Sequence, residues 1–428
     1  MINRTLTPAL TPAITALALG LGPAQAAQPE PATEVLAMER AAGVDASVLR
    51  LTSTSWRGTA WRHWMQVFVP ETPAHTDHAL LLVDGGHSAE PLPALDAGRA
   101  PMLATLARQL GMTVAVVRQV PNQPLQGGRF EDELIAHSFE QYLRTGDEAW
   151  PVLGAMVDSA TAAMDAVAAH AREHHGLDVR RFVLAGASKR AWAAWLTAAG
   201  DERVAGLISI VFDMLDFPRQ LELQATSYGD ALSPRLAPYA RRAFARHIAT
   251  PRGQALLEQV DPWRQRDELD MPKLLLLGTN DPFWPVDAAG VYVGELAGPT
   301  HLHYQPGLGY ALSPAQLPTA VAFVRAVVEG QPLPQIDSRR QGAALEVTST
   351  RRPRDARLWQ ARSSTPDFTD ATWQPTPLEI DADGVVTATP TRPGRGYKAY
   401  YVELGFEDYA LTTAMRVIPR RSPDVNAN

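Results

Sequence analysis

Between residues 78 and 329, short apolar runs alternate with longer stretches whose apolar positions recur at helical spacing. The runs at 78–83, 112–117, 182–185, 204–212, 272–277 and 301–305 read as buried strands. The stretches at 101–110, 132–143, 150–170, 191–199, 286–296 and 318–329 read as helices. Upstream, 49–55 and 61–69 alternate apolar and polar residues and read as paired strands around Arg57-Gly58-Thr59. Strands alternating with helices predict a mostly parallel sheet covered on both faces. In such a sheet, ligands bind outside the carboxyl ends of the strands.

Residues 217–268 interrupt this alternation. They are mostly helical in pattern, broken by Pro234, Pro238, Pro251 and Pro262. Inserted between two strands, they read as a helical cap over the active face. Gln331-Pro332-Leu333-Pro334 reads as a linker closing a domain at 38–333. Beyond it, 344–348, 355–361, 384–389, 399–404 and 411–418 are short alternating strands separated by Pro and Gly turns, which predicts a small β-sandwich at 338–420.

The candidate chemistry sits at strand ends. Residues 182–185 run into Gly186-Ala187-Ser188, and a helix follows. Strand, sharp turn with a central Ser, then helix is the layout of a nucleophile elbow. The turn lifts the hydroxyl above the strand ends, and the helix N-terminus offers unpaired N–H groups to an oxyanion. The usual pattern has a second Gly where Arg190 stands. A purely structural strand–helix turn has the same outline. Asp84-Gly85-Gly86-His87-Ser88 follows an earlier strand, where the loop of such hydrolases supplies half of an oxyanion hole. Gly85, Gly86 and the N–H of Lys189 are therefore the candidate oxyanion donors. His87, beside that loop, and Phe283 and Trp284, after a later strand, are candidate pocket residues; core packing is the equal alternative for the two aromatics.

Composition narrows the classes. The chain has 428 residues, 46% hydrophobic and 20% charged, enough to build a sizeable core. A net charge of −7 and no basic stripe argue against a nucleic-acid partner. Cys is absent, which excludes disulfides, thiolate metal sites and a Cys nucleophile. No His-Glu-x-x-His pattern or tight His/Asp cluster predicts a metal, and nothing predicts a cofactor. Residues 1–26 have a short positive start, an apolar stretch and a terminal Ala-Gln-Ala, so they read as a secretory signal. Residues 27–37, rich in Pro and Ala, read as a flexible leader. No later stretch reads as an integral membrane segment, so a periplasmic or secreted protein is expected.

Several motifs together resemble one family, the PhoPQ-activated pathogenicity-related proteins, a branch of the α/β-hydrolase superfamily. They are Gln119-Val-Pro-Asn-Gln-Pro-Leu125, Glu131-Asp-Glu-Leu-Ile-Ala-His137, Gly186-Ala-Ser-Lys-Arg-Ala-Trp192, Val211-Phe-Asp-Met-Leu215, Gly278-Thr-Asn-Asp281 and Gly396-Tyr-Lys-Ala-Tyr-Tyr-Val-Glu403. The resemblance spans roughly residues 38–420. It implies an exported α/β-hydrolase-like domain with a β-rich C-terminal domain, and it implies little about substrate.

The fold orders its triad Ser, acid, His along the chain. Ser188 takes the first place. Asp281 takes the second, with turn capping as its alternative role and Asp213 as a rival acid; the resemblance favours Asp281. The resemblance puts the His in the loop after the last strand, and there the residue is Tyr310. An ordinary phenol has a pKa of about 10 against about 6.5 for imidazole, so it is a poor acceptor for the Ser proton. His87, His137, His301, His303 and Lys189 are the substitute bases on offer, with the Lys189 side chain expected to point away.

Two functions follow. One is an exported serine hydrolase cleaving a small-molecule ester or an amide (peptide) bond, with a peptidase as a narrower version. The other is a degenerate hydrolase fold that binds or regulates, its envelope or protein partner left open.

Overall fold

The computed structural model describes residues 31–419 except 42, 230 and 243. The proposed signal at 1–26 lies outside them. The chain opens with three antiparallel strands, β1 (Ala32–Ala41), β2 (Val44–Trp56) and β3 (Thr59–Pro70). Of the expected flexible leader at 27–37, residues 32–37 belong to β1 and 27–30 lie outside the described residues. Local composition suggested a leader; the free edge of β2 supplies hydrogen-bond partners that no local pattern reveals.

The α/β core follows, in the order β4 (His78–Val83), α1 (Ala100–Leu110), β5 (Thr113–Val117), α2 (Glu131–Thr145), α3 (Val152–His175), β6 (Arg181–Ala187), α4 (Lys189–Gly200) and β7 (Val204–Ile210). After β7 come the cap helices α5 (Phe217–Tyr228), α6 (Ala237–Arg241), α7 (Phe244–His247) and α8 (Pro251–Val260). β8 (Lys273–Gly278), β9 (Thr300–Gln305) and α9 (Leu317–Glu329) complete it. The strands line up as β1-β2-β3-β5-β4-β6-β7-β8-β9, parallel from β5 to β9. Because β4 sits between β5 and β6, the chain leaves β4 in one direction and β6 in the other. That reversal opens a crevice at their carboxyl ends, where Gly85 and Ser188 emerge.

Two apolar layers hold the sheet. One, with α2, α3, α4 and the cap, contains Trp61, Phe139, Phe182, Trp195 and Leu207. The other, with α1 and α9, contains Leu103, Leu110, Val183, Leu274 and Phe323. α3 is long and apolar enough to cross a membrane, but most of it is buried inside the protein, as in a core helix. Its Ser159 and His170 hydroxyl and imidazole reach Ser53 and Ser47 of β2. The helix expected over 286–296 is instead two single 3₁₀ turns, Ala288–Val291 and Val293–Glu295. Gly290 and Gly294 interrupt the run and lower its helical stability by about 1 kcal/mol each.

The C-terminal strands are β10 (Ile336–Gln341), β11 (Ala344–Ser349), β12 (Asp355–Ser363), β13 (Gln374–Leu378), β14 (Val386–Ala388), β15 (Tyr397–Gly405), β16 (Ala410–Thr412) and β17 (Arg416–Ile418). β10-β11-β14 is a separate antiparallel sheet, and its Leu345, Val347 and Val386 join a core with Leu358, Val402 and Leu404 of β12 and β15. The other layer is not independent. Thr412 of β16 pairs with Leu302 of β9, so the central sheet continues as β9-β16-β15-β12-β13. The expected sandwich is therefore built partly on the hydrolase sheet. Alternation within strands predicts their faces but not which distant strand they pair with.

Candidate active site

The elbow is formed by close approach. α4 is buried along Ala191–Ala198, and small side chains let it lie tightly on the sheet. A Cβ at Gly186 would lie 2.6 Å from the carbonyl carbon and oxygen of Arg190, so only Gly fits there. Ser188 adopts φ 60°, ψ −128°, a strained conformation for a residue with a Cβ. Its position is nine-tenths buried, at 8% exposure. The N–H of Lys189, in the first turn of α4, lacks a partner within the helix.

The substitution of Arg for the second elbow Gly is explained by what Arg190 does. Its Nε donates to the Val120 carbonyl at 2.6 Å, and its two terminal nitrogens form a fork with Glu131 at 2.6 and 2.7 Å. The guanidinium fills the space where a Gly85 side chain would be, 2.6 Å from a Cβ placed there. Gly85 is therefore required by Arg190.

The Gly85–Gly86 loop is pinned through its carbonyls. The Gln119 N–H donates to Gly85 O at 2.8 Å, Gln123 Nε2 to Gly86 O at 3.0 Å and Gln119 Nε2 to His87 O at 3.1 Å. The N–H groups of Gly85 and Gly86 make no hydrogen bond among the described residues. Val83 pairs with Gly186, so this loop and Ser188 leave adjacent strands side by side. These N–H groups lie in the loop that the sequence reading named for oxyanion donors.

Tyr310 comes to Ser188. Its hydroxyl donates to Ser188 Oγ, and its ring stacks on Phe283 with centroids 4.1 Å apart. Burial holds the phenol neutral to well above its ordinary range, against a smaller opposing effect from the Ser188 hydrogen bond. Asp281 acts on the same phenol by its charge. Burial pushes the Asp281 carboxyl up to about 7, while one oxygen accepts from the Phe283 N–H at 2.7 Å. Its other oxygen has no partner among the described residues. The neighbouring Asn280 ties this turn to the C-terminal region, donating to the carbonyls of Thr369 and Ala371 at 2.9 and 2.8 Å. Asp213, the rival acid, accepts from the Tyr292 hydroxyl at 2.7 Å, and burial raises it to about 7.

A small apolar cavity of about 40 Å³ lies between this hydroxyl pair and the cap. Phe217 and Leu221 of α5, Leu232, Leu236, Tyr239 and Phe244 form its cap wall; Trp192, Phe212, Met214, Phe283 and Trp284 form the sheet side. Ser188, Tyr310, Lys189 and Asp132 supply its polar groups. Lys189 does not point away as expected. Its ammonium meets Asp132 at 2.9 Å and faces the Phe283 and Tyr310 rings at 5.4 and 5.9 Å. The shared carboxylates of Glu131 and Asp132 draw it back toward α2.

No histidine lines the cavity among the described residues. His87, expected in the pocket, is exposed: the carbonyl anchoring of its loop turns the side chain to solvent. His301 and His303 are buried in β9, with pKa values pushed down to about 4 by burial, and His303 Nδ1 pairs with Thr319 at 2.7 Å. His137 packs edge-on against Trp150. Sequence reasoning missed Arg190, Glu131, Gln119 and Gln123 as parts of the site. The adjacent pairs Glu131-Asp132 and Lys189-Arg190, opposite in charge and each opening a helix, were the available signal.

A sequence model of the PhoPQ-activated pathogenicity-related protein family matches residues 24–369. The chain belongs to that family. This family member is also 25% identical over 431 residues to autocrine proliferation repressor protein A of Dictyostelium discoideum, with 88% of this chain and 85% of that one covered. Among solved structures, acetyl xylan esterase from Paenibacillus sp. R4 superposes with a TM-score of 0.51 at 14% identity, covering 69% of this chain and 88% of that one. The likeness shows the α/β-hydrolase fold.

Proposed function

We propose that this chain is a ligand-binding member of its family, in which a hydrolase-type site is kept as a recognition pocket and turnover is held off. One observation carries the reading: the residue bonded to Ser188 is Tyr310, a neutral phenol that donates rather than accepts. Without a base, Ser188 keeps its proton and is a weak nucleophile. Loss of a triad base lowers the rate by several orders of magnitude. The regulatory name of the Dictyostelium relative agrees with a binding role. The reading includes export, on the strength of residues 1–26, to the periplasm or beyond.

A second reading has its own support. The strained elbow at Ser188 and the unpaired Gly85 and Gly86 N–H groups suit a serine hydrolase acting on an ester or amide. Fluorophosphonate labelling of the mature protein separates the two. The binding reading expects no Ser188-dependent label. Labelling that disappears in Ser188→Ala would instead establish a working nucleophile.

A further inference from the structure

We propose that this chain carries a second site, which binds the phosphomonoester of a small hydroxyl-rich compound, the class of the sugar phosphates. Arg340, Arg392 and Arg416 receive the phosphate in a cleft between the α/β core and the C-terminal strands. The cleft shares no lining residue with the Ser188 pocket, and the proposal holds whether Ser188 binds or cleaves.

Strand register gathers the arginines. Arg340 of β10 stands opposite Leu345 of β11, which is buried in the sandwich core. Arg416 of β17 stands opposite Tyr400 of β15, whose ring joins the same core from the other sheet. Directly opposed residues of an antiparallel pair share a face. Arg340 and Arg416 therefore meet at the rim of the sandwich from its two facing sheets. The loop between β14 and β15 adds Arg392, and the 3₁₀ turn before β9 brings Gly290 and the adjoining Asp287. Together they wall a cleft of about 320 Å³.

Its charges are unbalanced. Elsewhere buried or half-buried arginines find carboxylates, as Arg190 finds Glu131 and Arg203 finds Asp201. None of these three has an ion pair among the described residues. Arg392 makes no hydrogen bond there, Arg340 gives only its Nε, to the Gly342 carbonyl at 3.1 Å, and the Arg416 Nε is buried without a partner. Asp287 is the acid on the wall; it pairs with no arginine, and burial pushes its carboxyl up. Three guanidiniums less one carboxylate leave two positive charges in excess. Gathering like charges is costly, and a bound anion removes that cost. A phosphomonoester carries about −1.5 to −2 at pH 7 and has three oxygens for guanidinium forks. A carboxylate brings only one charge.

The adjoining cleft indicates the body of the ligand. It has about 310 Å³ and shares Gly290 and Arg416 with the first. Ser338, Thr300 and Thr412 line it, and the hydroxyls of Thr300 and Thr412 have no partner among the described residues. Hydroxyls both donate and accept, as those of a sugar do. Asp337, also on this wall, accepts from a hydroxyl and repels a second anion, so this end of the ligand is neutral.

Isothermal titration of the mature protein with glucose 1-phosphate, inorganic phosphate, glucuronate and glucose tests this. Glucose 1-phosphate should bind tightest, phosphate and glucuronate each about tenfold or more weaker, and glucose not measurably. Arg340→Gln combined with Arg392→Gln changes two exposed side chains and should weaken glucose 1-phosphate by about 10- to 100-fold. Ser188→Ala should leave its affinity unchanged. Absence of binding by either phosphate ligand, binding of any of the other three as tight as that of glucose 1-phosphate, or full affinity in the double arginine variant would each overturn the proposal. Affinity lost in Ser188→Ala and kept in the double variant would move the ligand to the Ser188 pocket, and overturns it too. Fluorophosphonate labelling judges the Ser188 reading separately, so the two can fail independently.

Discussion

Replacing Tyr310 by His tests the site most directly. At pH 7 an ordinary phenol is ionised in about one molecule in 10³, whereas an ordinary imidazole is about three-quarters in its base form. Burial makes Tyr310 still less able to ionise. The supply of base thus rises by about 10³ or more, part of which is returned because phenolate is the stronger base. A positioned general base contributes about 10² to 10⁴ in rate, and Tyr310→His should label with fluorophosphonate faster by a factor in that range. The labelling rate should climb between pH 6 and 8, as the imidazole loses its proton and as Asp281, at about 7, ionises to orient it. The change also removes the stack on Phe283, an aromatic pair worth about 0.5–1.5 kcal/mol, so the melting temperature should fall by a few degrees with the fold kept. Tyr310→Phe keeps the stack and should stay unlabelled. If Tyr310→His is folded and labels no faster than the natural protein anywhere from pH 6 to 9, the argument that a base is all the site lacks is wrong.

Other outcomes can be checked by stability alone. Ser188→Gly should melt higher than Ser188→Ala, by about 1 kcal/mol in urea unfolding, because both lose the Tyr310 hydrogen bond and only Gly relieves the positive φ. Glu131→Gln leaves the Arg190 guanidinium, itself only 10% exposed, with half its fork; a cost of about 2–3 kcal/mol is expected, below the fully buried case because Glu131 is 36% exposed. Exchanging both partners, as Glu131→Leu with Arg190→Met, should cost less than Glu131→Gln alone, and a double-mutant cycle would detect the reverse. Asp213, Asp261 and Asp281 all have folded pKa values raised by burial to about 7. The folded state therefore holds protons that the unfolded chain gives up near pH 4, and the stability they contribute is lost as pH rises from 4 through 7. Asp213→Asn keeps an acceptor for Tyr292 and should shrink the drop in stability between pH 5 and 8; an unchanged drop would show that Asp213 is ionised throughout.

The fold and its site were unequally legible in the chain. The strands of the core and the elbow were readable because each announces itself locally, as an apolar run followed by a Gly turn. Gly85, Gly86, Asp281 and Tyr310 could be placed beyond the carboxyl ends of their strands because a parallel sheet sends those ends one way. What could not be read depends on distant partners. β1 exists because β2 offers an edge, and β16 joins β9 through a pairing more than a hundred residues apart. Arg190 looked like a flaw in a motif, since its meaning lies in the Glu131 fork and in the missing side chain of Gly85. The Lys189 direction was misjudged for the same reason: Asp132 lies on another helix.

The hydrogen bonds from Asn280 to Thr369 and Ala371 fix an order of events for the chain as it is made. The elbow can form once residue 200 or so has been joined to the sheet. The turn carrying Asp281 has its anchor only after residue 371 exists, and the strand beside β9 only after residue 412. A chain cut short between residues 330 and 368 would carry a complete α/β core and leave the Asp281 turn without its anchor. Binding competence therefore reports the completeness of the molecule, and a truncated copy should fold in part without taking up ligand.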